Sequence, residues 1–326
     1  MKRIAVIGAG LAGLVVSREL GQNNEVTVFE KSRGVGGRMA TRYAGDYEFD
    51  HGAQFFTARS PQFQNFLQPL IEQGVVAAWQ ARFAEFDRGE IVATRQWQDD
   101  HPHYVGVPRM NAIGKWLARD IDVRLGTTVA RIERGNNGWL LCDGESSELG
   151  HFDWVVSTAP ASQTAALVPA SSPIRAAGAA ATMRACRALM LAFEQPLELP
   201  FDAALVSDAD ISWISVNSSK PGRGEGTCIV VHSTNAWADA HVDDDDEELN
   251  SHLQNELSEV TGIDVGTASY CSVQRWRYAN IDQRQGPLYC IDERLQLAAC
   301  GDWFIRGRVE SAYLSAKALA EALQPR

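Results

Sequence analysis

Ile4-Ala5-Val6-Ile7-Gly8-Ala9-Gly10-Leu11-Ala12-Gly13 is the stretch that decides the fold. Four apolar residues make a short strand that ends at Gly8. Beyond the glycines, Leu11, Leu14, Val15 and Leu20 recur at helical spacing until Gly21, and Glu25 to Glu30 reads as a second strand. Strand, Gly-rich turn, helix and strand in this order open a parallel, doubly wound sheet. Gly8, Gly10 and Gly13 permit the tight turn, the close approach of a pyrophosphate and the packing of helix on strand. The N–H groups around Leu11 and Ala12 open the helix and supply an anion site. Glu30 closes the second strand, twenty residues beyond Gly10, where its carboxylate can accept both ribose hydroxyls. These residues point to a bound dinucleotide.

The next segment, Lys31-Ser32-Arg33-Gly34-Val35-Gly36-Gly37-Arg38, indicates which dinucleotide. A second Gly-rich run lets backbone amides from Lys31 to Gly37 approach the phosphates from another side, and the Arg38 guanidinium can grip them in bidentate fashion. Such a long clamp suits FAD. No His or Cys stands in a flavin-linkage motif, so noncovalent FAD is expected.

Working outward, residues 31–60 read as a loop with little periodicity and Pro61 to Gly74 as an amphipathic helix. Val123 to Ile132 and Trp139 to Asp143 read as strands around the turn Asn136-Asn137-Gly138, and Asp153 to Ser157 as another. Leu189 to Phe193, Ile211 to Val216, Cys228 to His232 and Ala268 to Trp276 have the composition of a separate mixed sheet. Asp243 to Val260 is a helix with Leu249, Leu253 and Leu257 on one stripe. Leu295 to Cys300 closes as a strand, followed by a turn and a helix from Glu310 to Leu323. The fold class is therefore α/β, a Rossmann-like FAD-binding domain with an interleaved mixed-sheet substrate domain. The boundaries expected are 1–74, 111–170 and 287–326 for the first, and 75–110 and 171–286 for the second.

Composition narrows the partners. With 30 Lys plus Arg against 41 Asp plus Glu the net charge is -11, which offers no basic footprint for nucleic acid. The six cysteines are scattered, with no metal-binding spacing, as in a reducing compartment. Arg184 and Arg187 interrupt the Ala-rich stretch Ala176 to Phe193, so it is no membrane span. The N-terminus lacks the pattern of a secretory signal. A cytoplasmic monomer or homodimer acting on a small molecule is expected.

The motifs also carry a family likeness. Gly8 to Gly13 followed by Glu30-Lys31-Ser32-Arg33-Gly34-Val35-Gly36-Gly37-Arg38 resembles the amine-oxidase superfamily of FAD enzymes, with its p-hydroxybenzoate-hydroxylase-like topology. Cys300-Gly301-Asp302-Trp303 and Gly307-Arg308-Val309-Glu310-Ser311-Ala312 resemble that superfamily's last FAD motif. The likeness implies that Gly301 and Asp302 hold the ribityl-phosphate region. It also implies that the helix opening at Val309 and Glu310 points its N-terminus at the flavin, and that Val129 in Thr127-Thr128-Val129 meets the adenine.

Within the superfamily the chain most resembles the renalase-like family, through Asp50-His51-Gly52-Ala53-Gln54-Phe55-Phe56-Thr57-Ala58-Arg59, Val231-His232-Ser233-Thr234 and Gln274-Arg275-Trp276-Arg277. The likeness implies Gln54 and Phe55 beside the flavin ring, and Phe55, His232 and Trp276 around the reacting substrate. Phe56, Thr57, Ala58, Arg59 and Arg187 complete the implied substrate set. The reaction implied is oxidation of isomeric dihydronicotinamide dinucleotides, with hydrogen peroxide made from O2. Many relatives have Tyr at Phe55 and Gly at Arg109 and Ser311, so a role for a phenol hydroxyl at position 55 does not carry over from the likeness. Without the likeness, Trp276 and Phe55 read as core residues and His232 as a satisfied core histidine. Arg59, Arg184, Arg187, Arg275 and Arg277 are the candidates for a pyrophosphate, Arg59 first. The competing readings are an amine oxidase and, from another class, a non-catalytic flavin-binding redox sensor.

Overall fold

The computed structural model describes residues 1–98 and 100–324, and the chain falls into two compact units. The first comprises Met1–Arg38, Ile113–Met183 and Asn280–Arg326. Its main sheet has the strand order Tyr289–Asp292, Leu297–Cys300, Trp154–Ser157, Arg3–Ile7, Glu25–Phe29, Asp122–Arg124. Every neighbouring pair is parallel except the edge pair Tyr289–Asp292 with Leu297–Cys300. Such strands are covered on both faces, which explains why Ile4 to Ile7 is apolar without alternation. The first helix, Leu11–Leu20, buries Leu11, Leu14, Val15, Val16 and Leu20 and packs against the last helix, Val309–Leu323, across which Lys317 meets Glu19 at 2.9 Å. A three-stranded antiparallel sheet, Arg131–Gly135, Gly138–Cys142 and Glu148–Phe152, completes the unit.

The second unit comprises Met39–Ala112 and Arg184–Ala279. Its seven-stranded sheet runs Tyr270–Asn280, Arg184–Phe193, Thr227–Ser233, Ile211–Val216, Ala203–Ser207, Arg82–Asp87, Glu90–Gln96. It is mixed, since Ala203–Ser207 pairs parallel with Arg82–Asp87 while Arg184–Phe193 pairs antiparallel with Thr227–Ser233. Alternation along the central strands sorts residues between two faces. Leu189, Leu191, Phe193, Ile229 and Val231 face the helix Asp246–Thr261, which contributes Leu249, Leu253, Leu257 and Val260. Met190, Ala192, Cys228 and Val230 face Phe49 and the residues around it.

Several expectations need correction. Val123 to Ile132 is not one strand, because Asp122–Arg124 and Arg131–Gly135 belong to different sheets and Gly126, at φ 64°, turns the chain between them. Residues 31–60 are not wholly irregular, since Arg42–Ala44 and Tyr47–Phe49 pair as a short hairpin. The helix expected from Asp243 begins at Asp246, because Asp245 serves as its N-cap and accepts from the Glu247 N–H. No helix among the described residues is long and apolar enough to cross a membrane.

Candidate functional site

The first unit builds a cradle from its two Gly-rich segments. Gly36 N–H donates to the Ala9 carbonyl at 2.8 Å, and a Cβ on Gly37 would sit 3.1 Å from the Gly10 Cα. The glycines divide the work between packing and access. A Cβ at Gly13 would fall 1.9 Å from the Gly8 carbonyl oxygen, so Gly13 lets the helix lie on the strand, whereas Gly10 faces open space. Gly10 is also the N-cap of Leu11–Leu20 and provides no side-chain acceptor, leaving the N–H groups of the first turn, around Ala12, without an intrahelical partner.

Glu30 is buried at the edge of this cradle. Its two carboxylate oxygens accept from Ala9 N–H and Ser32 N–H, each at 2.8 Å. The carbonyl of Glu30 accepts from Thr127 N–H at 2.9 Å, which brings the segment ahead of the half-buried Val129 beside it. Lys31 is exposed next to Glu30. At the other end of the chain, Gly301 adopts φ 155° and Asp302 is buried. Asp302 receives both terminal nitrogens of Arg38 in a bidentate pair, at 2.8 and 2.5 Å. The helix Val309–Leu323 follows with no side-chain cap at Arg308 and with Glu310 in its first turn.

In the second unit the loop from Asp50 to Phe56 meets the sheet face carrying His232 and Trp276. The His51 carbonyl accepts from the Trp276 indole N–H at 2.9 Å, and His232 Nε2 lies 3.3 Å from the same oxygen. The His51 ring stacks on Trp276, centroids 5.1 Å apart and planes 15° apart. Gln54 Nε2 donates to the carbonyls of Asp50 and Gly52, which uses both its hydrogens. His232, 3.3 Å from that amide nitrogen, is therefore best assigned with its proton on Nε2, donating to His51. Burial pushes the pKa of His51 and of His232 down to about 4, so both rings are neutral at pH 7.

A buried charge cluster holds this loop. Asp50 accepts from Arg223, from the Thr41 hydroxyl at 2.7 Å and from Met110 N–H at 3.0 Å, with Lys220 Nζ 3.7 Å away. Lys220 Nζ also donates to Gln54 Oε1 at 3.1 Å and Asn217 Oδ1 at 2.9 Å. Burial lowers the Lys220 pKa to about 7. For Asp50, burial acts upward, but Lys220 and Arg223 together outweigh it and the net direction is down.

Residues 6–70 match the NAD(P)-binding Rossmann-like domain, and residues 105–324 match the family described as flavin containing amine oxidoreductase. The chain belongs to that family. A flavin containing amine oxidoreductase is an FAD-dependent oxidoreductase, and the cradle fits FAD: an open Gly10, an uncapped helix start and a buried carboxylate at the strand end. Solved structures share the fold. A protein from Exiguobacterium sp. 255-15, provisionally named a protoporphyrinogen oxidase, aligns with TM-score 0.79 at 13% identity over 99% of this chain and 98% of its own. A putrescine oxidase bound to putrescine aligns with TM-score 0.72 at 12% identity over 99% and 98%. The curated 4,4'-diapophytoene desaturase of Staphylococcus aureus (strain Newman) is 47% identical over 51 residues, 15% of this chain and 10% of the desaturase. The chain thus spans about a tenth of the length of the curated relatives it matches.

In this flavin containing amine oxidoreductase, the structure joins His232 and Trp276 through His51, but Phe55 turns into a neighbouring cluster. It packs against Trp97, His103 and Trp213 at 5.0, 5.0 and 5.3 Å. Phe56 points away into the core with Phe63 and Tyr104. Thr57 and Ala58 are half-buried and Arg59 is exposed, just ahead of the helix Pro61–Glu72 and its N-cap Ser60. Arg187 lies on the sheet face opposite His232, where it pairs with Asp246 and donates to the carbonyls of His241, Val242 and Asp244. Arg275 and Arg277 share that opposite face and reach Val242 and Asp243, while Arg184 pairs with Asp239. His51, Lys220 and Arg223 were not singled out by sequence reasoning. Among the described residues Asp210, His252 and Glu256 bring ligand atoms within 4.8 Å of one another, but His252 bonds Asp210 at 2.8 Å and Glu256 accepts the Asp210 N–H.

Proposed function

We propose that this chain oxidises a dihydronicotinamide dinucleotide, in a 1,2- or 1,6-dihydro form of NAD or NADP, with FAD held noncovalently and O2 reduced to hydrogen peroxide. The observation that carries this reading is the flat, neutral platform of Trp276 stacked on His51, with neutral His232 bonded to the same carbonyl. FAD, when bound, supplies the two-electron acceptor that O2 reoxidises. The substrate's own ring nitrogen drives hydride departure from the dihydropyridine and leaves an aromatic cation, so no protein base is needed.

The residues then have positioning roles. Trp276 offers its face to a planar ring, and the bond from its N–H to His51 fixes the indole's angle. His232, with Nε2 as donor to His51, presents Nδ1 as the acceptor for a carboxamide N–H. An amine substrate would arrive as a cation seeking a carboxylate, yet Asp50, the acid that perturbs His51, is already paired with Arg223.

Anaerobic bleaching of the flavin tests the reading. Dihydronicotinamide isomers should reduce it far faster than putrescine or other biogenic amines, and Trp276→Ala should slow that reduction with FAD still bound. Rapid bleaching by an amine, with no response to the 1,2- or 1,6-dihydro compounds, would overturn it.

A further inference from the structure

Arg42 is an arginine whose charge the second unit leaves unanswered. Arg82, Arg109, Arg184, Arg187, Arg223 and Arg277 each meet a carboxylate. Among the described residues no carboxylate pairs with Arg42. The side-chain acceptors it meets are neutral: Nη2 donates to Gln274 Oε1 at 2.7 Å and Nη1 to Ser272 Oγ at 3.3 Å. A guanidinium has five N–H donors in a planar fork, so two matched donors leave room for a bidentate anion.

Position gives that spare capacity a meaning. Ser272, Gln274 and Trp276 lie at alternate positions of the strand Tyr270–Asn280 and therefore share a face. The two side chains that hold Arg42 stand in one row with the indole that stacks on His51. Two residues along a strand span roughly 7 Å, comparable to the ribose that separates a nicotinamide ring from its phosphate. The charges around this row do not cancel Arg42. Asp50 is neutralised by Arg223 and Lys220, both histidines are neutral, and Arg42 itself contributes, after burial, to the lowered pKa of His51. Arg275 and Arg277 leave by the other face.

We propose that Arg42 is the anion subsite of the substrate pocket, taking the pyrophosphate of a dinucleotide whose ring lies on Trp276. This inference rests on the reading under Proposed function and sharpens it, because it assigns the preference for a dinucleotide over a neutral nucleoside or a cationic amine to one side chain. The guanidinium acts as a binding group that is equally engaged in ground and transition states, so its loss should appear in half-saturation rather than in limiting rate.

The test uses FAD-loaded wild type, Arg42→Gln and Arg42→Lys, with FAD content and melting temperature measured for each. In Arg42→Gln the half-saturating concentration of the dihydronicotinamide dinucleotide should rise about tenfold or more, with the limiting rate of flavin reduction nearly unchanged. The corresponding dihydronicotinamide riboside, which has no phosphate, should be unaffected, and Arg42→Lys should recover part of the loss. Inorganic pyrophosphate, followed by calorimetry or flavin absorbance, should bind wild type more tightly than Arg42→Gln. That measurement stands even if no dihydropyridine reduces the flavin, so failure of the functional reading is told apart from failure of the Arg42 assignment. Equal loss with riboside and dinucleotide, loss of FAD from Arg42→Gln, or pyrophosphate binding that ignores the substitution would each overturn the assignment.

Discussion

The first unit keeps its buried charge where a ligand can reach it, whereas the second encloses its own. Glu30 accepts two backbone N–H groups at the rim of a glycine cradle, and Arg38, which pairs with Asp302, retains 32% of its side-chain exposure. In the second unit the side chains of Lys220, Asp50 and Arg223 are 0%, 1% and 2% exposed. Charges withdrawn this far from water do little for a ligand and cost desolvation. Their use is mechanical: they pin the loop carrying His51, Gln54 and Phe55 to the segment from Asn217 to Arg223. One unit therefore leaves charge at the rim of its cradle, and the other uses its enclosed charge to hold the loop that carries the neutral His51 ring.

The hardest way to break this contrast is Asp50→Asn. The substitution leaves Lys220 and Arg223 buried around a neutral amide, and removing one partner of a buried pair costs about 3 to 5 kcal/mol. Denaturant unfolding of the FAD-loaded variant should show a loss of that size and a lower yield of folded protein. A change under about 1 kcal/mol would mean that the cluster is solvated, and the contrast between the units would fail.

The same contrast explains what could be read in advance. The opening strand, glycine turn and helix were legible because their signals are local and rest on backbone, at Gly8, Gly10 and Gly13. Strands such as Ile211–Val216 were legible from apolar and β-branched content. Glu90–Gln96 was not, because every residue in it is exposed at the sheet edge and no alternation marks it. The turn before it, Arg88-Gly89 with φ of 51° and 77°, was the signal available. Asp50 and Lys220 are 170 residues apart, and only pairing in three dimensions makes them a cluster. Arg187 could have been placed by counting: it has the parity of Leu189 and Leu191, so in a strand it faces the helix with them.

Acid sharpens the comparison next. His51 and His232 titrate near 4 in the folded chain against 6.5 for a free histidine, so between those values the unfolded chain binds more protons than the folded one. Stability should therefore fall as pH drops from about 6.5 to about 4, by about 3 kcal/mol at most for each ring. Asp50, whose pKa is also lowered, adds loss of the same sign at the acid end. Lys220 acts in a separate window: with its pKa lowered to about 7, stability should rise with pH between that value and 10.5. Melting temperature against pH, compared between wild type and His51→Asn, checks this. An identical slope in both between pH 4 and 6.5 would remove His51 from the account.

The smallest effect expected belongs to the first unit, and its kind matters more than its size. Glu30→Gln replaces one of two accepting oxygens with an amide nitrogen, which then faces either Ala9 N–H or Ser32 N–H, both now bonded at 2.8 Å. If Glu30 accepts the ribose hydroxyls, the substitution also removes the charge that would hold them. Bonds to a charged group contribute about 1.5 to 3 kcal/mol, so the FAD dissociation constant should rise roughly tenfold to a hundredfold. Because the cradle lies open at Gly10, the damage should stay local. The apoprotein should unfold cooperatively near its usual midpoint, and excess FAD should restore the melting temperature by mass action. An unchanged FAD dissociation constant would confine Glu30 to bridging the two glycine segments. A global loss of stability as large as that of Asp50→Asn would show that the first unit, too, spends its buried charge on itself.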